Sequence, residues 1–230
     1  MERKLPFVVG QSYHIYTRGV EKRVICKSEK DYQRFQLLLF LCNSRLSVRL
    51  RDLFDKYQGE PLGKIFNEYE REGVLVDIIA YVLMPNHLHL ILHERKKSGI
   101  SKFMLKLMTA YSMYFNTKNE RSGPLFTRPF RSRHIDTDPY MRWIFAYIHT
   151  NPLELHQRNW KQSGLTNFDA AKTFLQRYMY SSFPDYFVSN RPSSKILEQK
   201  FASKLGNLKT MDSLLTELSR SPQGEPLGKE

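Results

Sequence analysis

Hydrophobic and polar positions along this chain follow two periods, and the switches between them mark its elements. Residues 11–18, QSYHIYTR, alternate loosely and stop before Gly19, which predicts a first strand. Ser28 stands where a helix cap is wanted, with Glu29 and Asp31 in the first turn of a helix running to about Cys42. VLVDIIAYVLM, residues 74–84, is a near-continuous apolar run suited to a central strand. Pro85-Asn86 interrupts it, and residues 87–93 form the next strand, antiparallel to this central one if the turn is tight. From Ser101, the stripe Met104, Leu107, Met108, Tyr111 and Phe115 repeats every 3.6 residues, with Lys102, Lys106 and Lys118 off it.

Beyond Gly123-Pro124, LFTRPFRSRHI reads as a basic strand with its approach loop. Asp138-Pro139 supplies a cap and first-turn proline, and Asn151-Pro152 a stop, so PYMRWIFAYIHTN is expected to be a short helix. Tyr140, Ile144, Tyr147 and Asn151 share one side of it. Residues 43–72 are charged and broken by Gly59, Pro61 and Gly63, and read as an inserted, partly helical excursion. Residues 153–188 are aromatic-rich and expected to pack back onto the domain. The domain therefore spans residues 1–188, and residues 189–230 form a polar, partly helical or flexible tail with a possible helix at Asp212–Ser219.

The chain has 230 residues, and 36 Lys plus Arg against 23 Asp plus Glu give a net charge of +13. That excess favours a polyanionic partner such as nucleic acid. A membrane partner is disfavoured, because no segment approaches the roughly 18–20 consecutive apolar residues of a spanning helix. Cys26 and Cys42 lack metal-binding spacing, and with no signal sequence at the start they point to a reducing cytoplasm. The heptapeptide QGEPLGK occurs twice, at Gln58–Lys64 and Gln223–Lys229, which suggests a short DNA element translated in both places. Unrelated codons in the two copies would remove that explanation.

The candidate chemistry centres on YVLMPNHLHL. His87 and His89 lie two apart on a strand and share a face, while Leu88, Leu90 and Leu92 line the other. Two imidazoles make half of a divalent-metal site. Asn151 offers an amide oxygen, and Tyr147 a phenol one turn earlier on the same helix face. Two imidazoles and one oxygen leave coordination positions open, which suits Mg²⁺ or Mn²⁺ shared with a phosphate better than a closed zinc site. A cation polarising a phosphodiester would let Tyr147 attack in line, keep the 5′ phosphate as a phosphotyrosine and release a 3′ hydroxyl. Arg128, Arg131 and Arg133, interleaved with Phe126 and Phe130, could hold phosphates and unpaired bases. Spacing alone leaves both an enzyme and a hairpin-binding module for DNA or RNA open. A two-histidine RNA phosphoesterase would want a second His-x-Thr or His-x-Ser, and His149-Thr150 lacks that spacing.

The segments YHIYTRG, YVLMPNHLHL, GPLFTRPFRS and above all YIHTNP at Tyr147–Pro152 resemble the single-tyrosine HUH transposases of the IS200-like superfamily. The resemblance runs from about residue 7 to about residue 187. It implies a ferredoxin-like α+β fold, an antiparallel sheet with helices on one face and a C-terminal extension. It also implies metal-dependent cleavage and joining of single-stranded DNA beside a hairpin, by a monomer or a homodimer. By position, His87 and His89 match the metal-binding pair, Tyr147 the nucleophile and Asn151 the third ligand. Arg128, Arg131 and Arg133 match a basic segment assigned to phosphate contacts. Asn151, where other branches carry Gln, favours the REP-associated branch. His149, nearly opposite Tyr147 on the helix, is expected to be structural or solvent-facing.

Overall fold

Four extended stretches become the strands of one antiparallel sheet, ordered β2-β3-β1-β4. The computed structural model describes residues 6–46, 49–198, 200–201, 208 and 210–219. The chain runs β1 (Ser12–Arg18), α1 (Glu29–Leu41), α2 (Leu50–Lys56), α3 (Leu62–Glu68), β2 (Asp77–Leu83), β3 (His87–His93), α4 (Gly99–Lys118), β4 (Arg131–Ile135) and α5 (Asp138–Thr150). It continues through α6 (Leu153–His156), α7 (Trp160–Ser163), α8 (Phe168–Arg177), α9 (Phe183–Phe187) and α10 (Met211–Ser219). The path β1-α1-β2-β3-α4-β4 with this strand order is the expected ferredoxin-like α+β arrangement, and α2 and α3 occupy the expected excursion of residues 43–72.

Period-two alternation divides the sheet into two faces. Ile15, Leu88, Leu90 and Leu92 are fully buried on one of them, in a core with Phe35, Phe103, Leu107 and Tyr111 of α1 and α4. The other face bears Ile91 and Val82 and is crossed by α5, whose Ile144, Ala146 and Ile148 share a second core with it. The expectation of helices on one face therefore holds for α1 and α4 but has to be widened. α5 has a broad enough apolar stripe to bury a second side of the sheet. α10 lies against α5, where Met211 and Leu214 join that second core.

One local expectation at α5 is corrected. The cap is Thr137 rather than Asp138: the threonine hydroxyl accepts from the Tyr140 amide at 3.3 Å, which leaves Asp138 and Pro139 in the first turn. The expected stop at Asn151-Pro152 holds, since α5 ends at Thr150 with Asn151 as its C-cap. Asn151 and Pro152 keep right-handed helical dihedrals and lead into α6, because proline tolerates the first position of a new turn. Of the duplicated heptapeptide, Gln58–Lys64 forms the turn into α3, where Gly63 lies against Pro192. Gln223–Lys229 lies outside the described residues.

Candidate active site

The register of β1 decides what stands beside the histidines. Tyr16 pairs with His89 and Arg18 with His87 on one side of β1. On its other side Tyr16 pairs with Arg131 and His14 with Arg133. Paired positions share a face, so His14, Tyr16, Arg18, His87, His89, Arg131 and Arg133 occupy the surface that α5 crosses. A cavity of about 1040 Å³ opens there, with Trp143 and Tyr147 of α5 lining it as well.

The Pro-Asn turn of the LMPNH sequence holds His87 in place. The Pro85 carbonyl accepts from the amides of Ile25 and Cys26, and the Asn86 carbonyl accepts from Gly19. Gly19 cannot carry a side chain, since a Cβ there would stand 2.2 Å from the Arg23 carbonyl oxygen. With the turn anchored, Asn86 Oδ1 lies 2.7 Å from His87 Nδ1. An amide oxygen only accepts, so His87 Nδ1 is the donor of this contact, and in the neutral imidazole the lone pair is then on Nε2. The rings of His87 and His89 are 5.1 Å apart and perpendicular.

Tyr147 meets this pair from above. Its ring stands edge-on to His89, 5.5 Å between centroids at 83°, and stacks on Trp143 at 5.4 Å and 17°. Lys161, from α7, places its ammonium 4.4 Å from the centre of the Tyr147 ring, a cation–π contact, and 3.5 Å from Glu154. Among the other cavity tyrosines, Tyr140 lies under the Arg133 guanidinium at 4.5 Å. Burial nevertheless pushes its phenol up to about 12.

The structure therefore brings His87, His89 and Tyr147 to one cavity, along with exposed Arg128, Arg131 and Arg133. Asn151 is one turn beyond Tyr147 and 3% exposed, and its side-chain oxygen is buried without a hydrogen-bond partner among the described residues. His134 points to the opposite face, against Tyr13 and Gln11. His149 is structural: its ring bridges the Phe145 carbonyl and the Ser182 hydroxyl, and burial pushes its imidazole down to about 3, so it stays neutral. Sequence reasoning does not single out His14, Trp143 or Lys161. For His14 the signal was present, because it has the same strand parity as Tyr16 and Arg18.

Whether these residues suit a divalent cation can be asked of the donors themselves. Among the described residues, no group of three or more His, Cys, Asp and Glu is arranged to hold a metal ion. A site here has to combine the two imidazoles with a neutral oxygen. The fixed Nε2 lone pair of His87 and the orphaned buried oxygen of Asn151 are donors of the kind such a site needs, so the residues fit.

Residues 38–151 match the family model described as transposase, IS200-like. The chain belongs to the IS200-like transposase family. The matched span of this transposase contains His87, His89, Arg128, Arg131, Arg133 and Tyr147 and closes on Asn151. Members of the family are DNA transposases, enzymes that cleave and transfer DNA strands. A solved structure of a REP-associated tyrosine transposase bound to a REP hairpin aligns with 81% of this chain and 84% of that one, at 13% identity and a TM-score of 0.44. No curated protein matches the transposase significantly. No helix among its described residues is long and apolar enough to cross a membrane.

Proposed function

We propose that this protein is a single-stranded DNA endonuclease and strand transferase of the single-tyrosine HUH kind, with Tyr147 as nucleophile and His87, His89 and Asn151 as ligands of Mg²⁺ or Mn²⁺. The observation that carries the reading is the edge-on packing of Tyr147 against His89 at 5.5 Å, in a cavity bordered by arginines. The REP-associated branch, and with it a hairpin from a palindromic repeat as partner, is part of the proposal and is supported by the YIHTNP sequence.

Arg128, Arg131 and Arg133 bind the strand through its phosphates, and the half-buried Tyr16 offers an aromatic edge to unpaired bases. Stacking on Trp143 and the Lys161 ammonium hold the Tyr147 ring in one orientation, so the phenol oxygen is positioned before the strand arrives. A divalent cation, when bound, withdraws charge from the scissile phosphate. Attack by the Tyr147 oxygen forms the Tyr–O–P ester and breaks the P–O3′ bond. The phenolic proton passes to solvent, and the departing 3′ oxygen gains one. The ester keeps the phosphoryl group activated, so a second 3′ hydroxyl can reverse the step and join a new end.

The test is incubation of the full chain with Mn²⁺ and a hairpin-bearing oligonucleotide, followed by denaturing electrophoresis. A covalent protein–DNA adduct is expected. Tyr147→Phe should abolish it while hairpin binding remains, and His87→Ala should suppress it through lost metal dependence. Unchanged adduct from Tyr147→Phe would remove the tyrosine from its role. Hairpin binding by the wild type without any adduct would favour a non-catalytic binding module.

A further inference from the structure

His14 lies on β1 two positions before Tyr16, and the register sets it against Ile91, one pleat from His89. The two imidazoles meet on the diagonal: His14 Nε2 is 2.9 Å from His89 Nδ1. Their rings are 5.2 Å apart and 16° from parallel, and Tyr16 stacks on both, at 4.9 Å from His14 and 5.8 Å from His89. His14 is 6% exposed and His89 not at all.

At 2.9 Å one nitrogen donates and the other accepts, and two neutral imidazoles permit either direction. Burial removes water as an alternative partner, so the tautomer of one ring dictates that of the other. His87 indicates the direction. Asn86 holds its proton on Nδ1 and leaves the lone pair on Nε2. A second imidazole serving the same cation needs its Nε2 lone pair as well, hence its proton on Nδ1, and that proton then points at His14 Nε2.

We infer that His14 is a positioning residue that fixes His89 in the Nδ1–H tautomer and so keeps the His89 Nε2 lone pair available to a divalent cation. The inference rests on the proposal that His89 is a metal ligand. His14 itself touches neither cation nor strand in this role. It accepts one proton and carries its own on Nδ1. The two histidines of the HLH sequence thus have separate orienting partners: for His87 the neighbouring Asn86, for His89 a residue 75 positions earlier on another strand.

Nitrogen NMR of the full-length chain labelled at histidine, without metal or DNA and at a pH where imidazole is neutral, reads the tautomers directly. In the wild type, His89 should carry its proton on Nδ1. His14→Phe, which fills the space but accepts nothing, should release His89 to a tautomer mixture, whereas His14→Gln, whose amide oxygen accepts, should retain Nδ1–H. In a parallel Mn²⁺ titration, His14→Phe should weaken affinity about 10–100-fold and His14→Gln by no more than about threefold. A wild-type His89 protonated on Nε2, or a His89 tautomer indifferent to His14→Phe, would overturn the inference. If His14→Phe does not fold, the wild-type tautomer and the His14→Gln spectrum decide the matter. Wild-type protein with the expected tautomer but no Mn²⁺ binding would retire the ligand assignment while leaving the coupling of the two rings standing.

Discussion

Asp31 on α1 and Lys118 at the end of α4 form an ion pair of 2.5 Å that ties together the two helices covering one sheet face. The Asp31 carboxylate is fully buried and also accepts from the Tyr114 hydroxyl at 2.8 Å and from the Lys27 and Ser28 amides at 2.8 and 3.0 Å. It thus serves the start of α1 and its contact with α4 at once. Burial pushes its carboxyl up, but the hydrogen bonds from Lys118, Tyr114, Lys27 and Ser28 outweigh that and hold it below the ordinary carboxylate range.

A carboxyl lowered in this way contributes stability that is full above its unfolded value, about 3.9, and is lost as pH falls through the folded value. Asp31→Ala should cost about 2–4 kcal/mol near neutrality, combining a lost helix cap with lost charge-assisted hydrogen bonds. Lys118→Met should cost about 1 kcal/mol or less, because the ammonium is reachable by water. Urea denaturation across pH measures both, and the deficit of Asp31→Asn relative to wild type should shrink in acid.

Arg131 and Arg133 stand on β4 with exposed side chains at the cavity. Replacing both with Gln should weaken binding of single-stranded DNA about equally for all sequences, since phosphate contacts carry no base information. The slope of log affinity against log salt should become shallower by about 1.4, at about 0.7 for each lost contact to a single strand. An unchanged slope would place the strand elsewhere.

Leu214 of α10 is fully buried in the core it shares with α5, and Arg142 of α5 lies 3.5 Å from Glu217 of α10. Leu214→Ala should cost about 2–5 kcal/mol of stability. Because α5 carries Tyr147, adduct formation should fall more than hairpin binding does. Equal losses would mean that α10 supports the whole domain rather than the tyrosine helix.

Much of this architecture is legible in the chain. Leu88, Leu90 and Leu92 alternate with His87, His89 and Ile91, and since strand side chains alternate by geometry, one turn of period-two sequence is enough to sort a core face from a polar one. The α4 stripe is similarly local, because the side chains that share a helix face are three or four residues apart. The exact cap of α5 was less legible: Thr137 and Asp138 are both good cap residues in adjacent positions, and only the turn from β4 selects the first. The partner of His89 was not legible at all, since 75 residues separate it from His14 and nothing in either segment names the other.

The sequence by itself determined the four strands, the helices α1, α4 and α5, the apolar stripe of α4, and that His87 and His89 must share a face, because each follows from spacing along one element. Tertiary structure alone decided that Tyr147 meets His89 edge-on, that Lys161 covers the tyrosine ring, and that His14 rather than solvent faces the buried imidazole. Those contacts depend on strand register and on the angle at which α5 crosses the sheet. Both are set by the summed packing of two cores, and no local stretch of residues encodes such a sum.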